Sequence, residues 1–435
     1  MLTELLGAAP KTSPSNFFIA EISKLTLTMN NLVPQKLLQI AEDIRSEGGR
    51  VFLVGGFVRD SLLGTSGEIR DFDIEVYKIG QEKLLSILSK HGKPNLIGKA
   101  FGVVHLSRQN IHYDFSFPRT ESKIGSGHRA FDVQTDPNLS FEEAAKRRDF
   151  TINAMGMELP NLELADPYNG SKDLESKILR HVSEAFAEDS LRVLRAVQFA
   201  ARFELRAAKE TIELCKTLSL NDLSRERIEE EFRKWLLKGV KPSYGLDLFC
   251  EVGLQKMFFE IGIENNQTEL GNILDYIVKY RGSLNSTKAE IIMFAGLLCL
   301  PNAKPFDFLK KWIPINILLK KVPALLSSLS LLDLSCKNSL RRCALKAGGL
   351  KLPAILKSAI ENNASLYENT QKIGNKMGIW EEVPEPFLTG KMLLDMGFKQ
   401  GPRVGEIIKQ IFEKQLEGEV SSKEEAEKMA REFLQ

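Results

Sequence analysis

The period of the apolar positions changes along this chain, and the change divides it. Residues 30–48 carry Leu37, Leu38, Ile40, Ala41 and Ile44 at roughly helical spacing, which predicts a helix. Val51 to Val54 is a short continuous apolar run and reads as a buried strand. Gly55-Gly56 breaks it, and Phe57, Val58, Leu62 and Leu63 then fit a short helix with Arg59 and Asp60 on its polar side. A second strand is expected from Asp71, a helix from Gln81 to His91, and strands over Phe101–Leu106 and Ile111–Phe117. Residues 120–140 (TESKIGSGHRAFDVQTDPNLS) are polar and Gly-rich and read as a mobile loop, of the kind that serves as a lid when it is not disordered. Phe141 to Lys146 starts another helix. From about residue 175 to the end the pattern is helical almost throughout, with no convincing strand. The chain therefore reads as an α/β head to about residue 170, closed by the turn Asp166-Pro167-Tyr168-Asn169-Gly170, then helical domains.

Composition narrows the class. The 435 residues suffice for two to four domains, and 43% hydrophobic with 27% charged is ordinary for a soluble globular protein. No stretch approaches 18 uncharged apolar residues, so a membrane span is not expected. Residues 1–28 lack a basic segment followed by an apolar one, so they read as an extension and not a secretory leader, with Met29 as an alternative start. Five scattered cysteines form no CxxC pair and read as reduced thiols of a cytoplasmic protein. The net charge is only +2, yet residues 301–376 hold 13 Lys plus Arg against 4 Asp plus Glu. Such a basic module is either a solvated helical surface or the footprint of a polyanion partner such as nucleic acid.

Candidate chemistry begins at Asp71-Phe72-Asp73. Side chains alternate across a strand, so Asp71 and Asp73 point to the same side. Two carboxylates so close repel unless a cation sits between them, and hard divalent cations such as Mg²⁺ use this oxygen geometry in phosphoryl transfer. Asp114, on a later predicted strand, is either an edge-strand acid or a third member of the set. A second stretch, AFAEDSLRVLRAVQFAARF (185–203), places Asp189 and Arg192 three apart. On a helix they share a face, either as a surface ion pair or as an acceptor and a donor offered together. An acceptor beside donors matches a base with an amino group next to a ring-nitrogen acceptor, which cytosine and adenine have and uracil and guanine do not. Arg195, Arg148 and Arg59 are candidates for triphosphate contacts, since Arg binds phosphate in a forked geometry.

These motifs, in this order, resemble the bacterial tRNA nucleotidyltransferases, the CCA-adding enzymes, which share a superfamily with bacterial poly(A) polymerase. The resemblance rests on GGFVRDSLLG (55–64) with Asp71-Phe72-Asp73, RRDFTINAM (147–155), DPYNGSKDLESKILRHV (166–182), EDSLRVLRA (188–196) and SRERIEEEFRK (224–234). It is dense from about 50 to 240 and returns at 388–419. It implies an α+β fold: a nucleotidyltransferase head (30–170) with a mixed five-stranded sheet, then an all-α neck (171–240), body (241–300) and basic, tRNA-binding tail (301–435). It implies that Asp71 and Asp73 hold Mg²⁺ and, with Asp114 as the candidate third acid, form the catalytic set. Gly56, Arg59, Arg148 and Arg195 would contact the nucleotide, Asp189 and Arg192 would read its base, and the loop at 120–132 would take part in the switch from C to A. The implied reaction adds C and A from CTP and ATP to the tRNA 3′ end; A-only or CC-only addition, poly(A) synthesis and non-catalytic RNA binding are the alternatives. Gln198 departs from the family, where an Arg is often found. All five histidines precede residue 182, which excludes a histidine-ligated metal in the C-terminal half.

Overall fold

The computed structural model describes residues 32–65, 70–97, 103–123 and 131–434. The expected extension at 1–29, the alternative start at Met29 and the tip of the 120–132 loop lie outside the described residues. The chain forms two compact units, one comprising the residues up to 193 with 205–223, the other 194–204 with 224–435.

The first unit is built on a seven-stranded mixed sheet. Its strands are β1 (Arg50–Val54), β2 (Asp71–Tyr77), β3 (Asn95–Ile97), β4 (Val103–Arg108), β5 (Ile111–Ser116), β8 (Gly156–Leu159) and β9 (Glu163–Ala165), in the order β3-β4-β5-β2-β1-β8-β9. The five inner strands answer to the expected five; β3 and β9 are three-residue additions at the edges. β2 pairs parallel with β5 and antiparallel with β1, which makes the sheet mixed.

Period-two alternation gives this sheet two unlike faces. Val51, Leu53, Phe72, Ile74, Val76, Val104, Leu106, Tyr113 and Phe115 are all buried and share one face by register. Of the helices α1 (Gln35–Ser46), α2 (Gly56–Leu62) and α3 (Gln81–Ser89), α1 and α3 bury the apolar stripes that their sequences predicted, whereas α2 buries Phe57 and Val58 but leaves Leu62 and Leu63 half-buried. The other face carries Asp71, Asp73 and Glu75. Part of it is closed by a cluster of Phe52, Val54, Tyr77 and Ala154 with Phe141, Ala144 and Ala145 of α4 (Phe141–Ala145). Ser140 and Glu143 form a capping box at the start of α4, which fixes where that cover begins.

Two expectations are corrected here. The polar segment 120–140 is not loop throughout: β6 (Arg119–Lys123) and β7 (Phe131–Thr135) pair antiparallel as a two-stranded ribbon. The FDVQT alternation was a strand signal outweighed by the glycines before it. The chain beyond 175 is also not strand-free, since β10 (Ile178–Leu179) and β11 (Arg206–Ala207) form a small parallel pair. Two residues are too few to leave a period in the sequence.

Also in the first unit are α5 (Gly170–Glu175) and α7 (Lys209–Lys216). Helix α6 (Leu191–Phe203) starts in the first unit and continues in the second. The second unit is otherwise helical, from α8 (Arg225–Lys238) and α9 (Pro242–Glu251) through α10 (Gln267–Arg281), α11 (Ser286–Leu297), α12 (Pro305–Trp312) and α13 (Asn316–Ser328) to α14 (Lys337–Ala347), α15 (Lys351–Ile360), α16 (Ala364–Lys376), α17 (Gly390–Asp395), α18 (Pro402–Glu417) and α19 (Lys423–Glu432). Phe232 and Trp235 of α8 pack with Phe249 and Phe258 in an aromatic core. Gly245 admits the close approach of Trp235, whose Nε1 would lie 2.5 Å from a Cβ there. The C-terminal motif at 388–419 folds around its own core of Leu388, Leu393, Phe398, Ile407 and Ile411. No described helix is long and apolar enough to cross a membrane.

Candidate active site

The carboxylates lie at the start of β2, where the covering cluster ends. Asp71 and Asp73 are exposed and Glu75 is buried, all on one face as the alternation predicted. Parallel pairing brings Asp114 of β5 directly opposite Asp73, and His112 opposite Asp71. Neighbouring strands run about 4.8 Å apart, so Asp73 sits beside two like charges. Although the residue is exposed as a whole, desolvation of its carboxyl by the surrounding chain, then Asp114, pushes it above the ordinary range; Asp71 and Glu75 add to this and Arg148 opposes it. Crowding of this kind is what a bound cation relieves, so these residues fit a divalent ion. Among the described residues no group of three or more His, Cys, Asp or Glu side chains is placed to hold a metal ion, so the protein's own ligands would be the pair Asp71 and Asp73. An open set of this sort suits a cation that keeps waters and substrate phosphates as ligands.

The Gly-Gly turn abuts this edge. Gly55 adopts φ 73° and ψ −138°, a conformation that residues with a Cβ rarely take. A Cβ built on it would lie 3.6 Å from Asp73 Oδ2, which locates the turn against the carboxylate.

The arginines are committed more deeply than their sequence suggested. Arg59 was placed on the polar side of its helix, yet it is only 3% exposed. It donates to Asp60 Oδ1 (2.8 Å) and to Asn153 Oδ1, and Asn153 in turn donates to Asp149. The periodicity of a seven-residue helix could not show that the 151–153 turn covers its polar side. Arg148 is not left open for phosphate: it pairs with buried Glu75 (3.0 Å) and donates to the carbonyls of Asn153 and Met155. Arg147 pairs with the same carboxylate at 3.3 Å. Burial alone would push the Glu75 carboxyl up, but Arg148 and Arg147, with the Tyr77 hydroxyl at 2.8 Å, hold it below the ordinary range.

Asp189 and Arg192 are not one face of a helix. Asp189 is extended and precedes α6, and its Oδ1 accepts from the Leu191 amide at 3.1 Å. Arg192, in the first turn, donates to the carbonyls of Ala185 and Arg147, both at 2.7 Å. An Asp that caps a helix start breaks the i,i+3 geometry assumed from spacing. Both side chains are nonetheless fixed within the first unit. Arg195 belongs to the second unit, where its guanidinium lies 5.3 Å from the Phe199 ring. Gln198 is 2% exposed, and its Oε1 has no hydrogen-bond partner among the described residues.

The 166–182 motif holds the 147–155 motif in place. Asp166 accepts from the amides of Gly170 and Ser171, and Asp173 accepts from Thr151 Oγ1 (2.8 Å) and Arg180. A Cβ on Gly170 would come within 2.1 Å of the Thr151 carbonyl oxygen, so no other residue fits.

Two neighbours of the carboxylates were not named from the sequence, although one of them left a signal there. Glu75 continues the Asp71, Asp73 alternation and was visible as such. His105 Nδ1 lies 2.6 Å from Asp114 Oδ1, and the His105 and His112 rings stack with centroids 5.4 Å apart. That contact depends on β4–β5 register, which no local pattern encodes.

The chain is similar to several known proteins. The "CCA-adding enzyme" of Marinobacter nauticus is 37% identical over 251 residues, 56% of this chain and 64% of its own length. The "Multifunctional CCA protein" of Psychromonas ingrahamii is 41% identical over 218 residues, 48% of this chain and 50% of its own. The chain thus spans about half the length of the curated relatives it matches. In fold, the Bacillus stearothermophilus CCA-adding enzyme in complex with CTP superposes with a TM-score of 0.69 at 24% identity, over 92% of this chain and 97% of that one. The Thermotoga maritima CCA-adding enzyme, solved with tRNA, gives 0.65 at 20%, over 95% and 98%. Residues 51–180, which carry the Gly-Gly turn and the carboxylates, match the family model of the poly A polymerase head domain.

Proposed function

We propose that this protein is a template-independent nucleotidyltransferase that adds C and A, from CTP and ATP, to the 3′ end of tRNA. The observation that carries the reading is the alignment of Asp71, Asp73 and Asp114 at one sheet edge beside the Gly55-Gly56 turn. Relatives that share this head are named for CCA addition, and solved structures of this fold were obtained with CTP, with ATP and with tRNA.

The reaction is an in-line displacement. The tRNA 3′-oxygen forms a bond to the α-phosphorus of the incoming nucleotide, the α–β bridging P–O bond breaks, and pyrophosphate leaves. Asp71 and Asp73 are the proposed ligands of Mg²⁺, which when bound supplies charge stabilisation at the attacking and leaving oxygens. Asp114 completes the acidic set, held by His105. Gly56, next to Gly55, leaves the backbone open to a ligand. Asp189 and Arg192 read the base: with the carboxylate fixed by the Leu191 amide and the guanidinium by two carbonyls, the pair is a rigid edge in place of a template. In this structure Arg59 and Arg148 position the site, through Asn153 and Glu75, while Arg195 is a candidate for contact with the nucleotide. The basic stretch 301–376 is the proposed grip on the tRNA backbone, and reversing several of its charges weakens tRNA binding far more than CTP binding.

The test uses three tRNA transcripts, ending before CCA, after the first C and after CC. Each is incubated with Mg²⁺ and CTP, ATP or both, and the ends are resolved on a gel. One complete CCA from all three is the expected result. Extension of the CC-ended transcript alone, by a single A, would identify an A-adding specialist; stopping at CC would identify a CC-adding one, a long A tail a poly(A) polymerase, and no extension of any transcript a non-catalytic RNA-binding protein.

A further inference from the structure

Adjacent phenylalanines meet opposite fates at residues 258 and 259. Phe258 is wholly buried and packs on Trp312, with ring centroids 4.7 Å apart. Phe259, in a short 3₁₀ turn, is 56% exposed. A single exposed apolar side chain is unremarkable in itself, but this one is held out by a fixed frame. Buried Glu260 accepts from Lys311 Nζ (2.8 Å) and Trp312 Nε1 (3.5 Å), and its carbonyl accepts from the Lys304 amide (2.7 Å). Gly262, at φ 72°, packs so closely that a Cβ would come within 2.6 Å of the Ala303 nitrogen. The turn is thereby pinned to the start and end of α12, and the Phe259 ring cannot fold inward.

The surroundings are cationic. Lys304 Nζ and Lys311 Nζ lie 5.8 and 5.3 Å from the centre of the Phe259 ring. Lys310, Lys320 and Lys321 of α12 and α13 are exposed, and between residues 301 and 332 the only acid is Asp307. Among the described residues, Lys304, Lys310, Lys320 and Lys321 make no ion pair with an acid. A rigid aromatic face beside Lys304, Lys310, Lys320 and Lys321, none of them paired with an acid among the described residues, is what a base and its phosphates require together: the ring takes the base by stacking and these lysines take the charge. An apolar protein partner would gain from the ring but would have to desolvate the lysines.

We propose that Phe259, with Lys304, is an RNA contact where an unpaired base stacks on the ring and the ammonium group meets a neighbouring phosphate. The proposal rests on the tRNA-substrate reading above and locates one contact within it. Binding of a fluorescent tRNA transcript lacking CCA is measured by anisotropy for the full-length protein and for Phe259→Ala, Phe259→Leu and Phe259→Trp, with CTP binding measured in parallel. The Ala and Leu variants should bind the transcript about 5- to 100-fold more weakly, the scale of one lost base–aromatic stack, with CTP binding unchanged. The Phe259→Trp variant should bind as the native protein does, and its extra indole emission should be quenched by the RNA. Native-like binding by Phe259→Leu would overturn the stack, since Leu keeps the apolar surface and has no π face; so would extra emission from Phe259→Trp that the RNA leaves unquenched. Failure of the native protein to bind the transcript at all would instead overturn the substrate reading, and this contact with it.

Discussion

The two units of this protein handle charge in opposite ways. The first crowds like charges: Asp71, Asp73 and Asp114 meet at one sheet edge, and Asp73 is pushed away from easy ionisation as a result. The second spreads a surplus of lysine and arginine over exposed helix surfaces, where solvent screens it. Crowded charge is costly without a ligand and so marks one chemical point. Dispersed charge costs little and marks a surface that a long polyanion can lie along. A reaction that joins a nucleotide to the end of an RNA needs both.

The contrast breaks most sharply at the carboxylates. Asp71→Ala or Asp73→Asn should lower nucleotidyl transfer by about a thousandfold or more, the loss expected when several kcal/mol of metal charge stabilisation disappears. RNA binding by the second unit should persist in a mobility-shift assay; loss of both together would show that the two regions are not separable. Asp73→Asn should also raise the melting temperature of the metal-free protein at neutral pH. The sign follows from the raised carboxyl: its contribution to stability is present at low pH and lost as pH rises through its folded-state value, and Asn removes that loss.

Next in size is Glu75, the anchor of Arg147 and Arg148. Glu75→Ala leaves two guanidinium groups without their buried partner and should destabilise the head by about 3–5 kcal/mol in denaturant titrations. Its carboxyl is held low, so this stability is present at neutral pH and is lost as pH falls through its depressed folded-state value. An acid-induced loss of head structure that is absent in Glu75→Gln would confirm the assignment.

A smaller effect concerns reading. Arg192→Lys keeps the charge and removes the fork that spans the Ala185 and Arg147 carbonyls. Discrimination of CTP against UTP should fall by roughly 1–3 kcal/mol, the scale of one bidentate base contact. Unchanged discrimination in competition assays would move base reading elsewhere. The smallest expected effect is at His105. His105→Ala should reduce kcat by roughly fivefold, about 1 kcal/mol for one hydrogen bond, with KM for CTP unchanged and partial rescue by Asn.

Much of the head was legible because strands and helices write their periods into the sequence. The run at 51–54, the alternation from Asp71 and the stripes of α1 and α3 all appear where the pattern put them. The ribbon at β6 and β7 was masked by glycines, and β10 and β11 are too short to register. At the site, Asp71 and Asp73 needed only the local period. Arg59 and Arg148 were named as phosphate ligands because sequence shows charge but not its partner. Their commitments, to Asn153 and to Glu75, span 94 and 73 residues.

What the sequence determined alone was therefore whatever depends on near neighbours: the elements, the shared face of Asp71 and Asp73, the turn at Gly55-Gly56 and the basic character of 301–376. The tertiary structure decided which distant residues meet. It set Asp114 opposite Asp73, gave Asp114 its histidine, turned Arg148 onto Glu75 and left Phe259 outside while Phe258 went in. The reason is physical: a period is a property of the backbone and repeats every few residues, whereas a hydrogen bond or a stacked ring depends on the register in which remote segments pack.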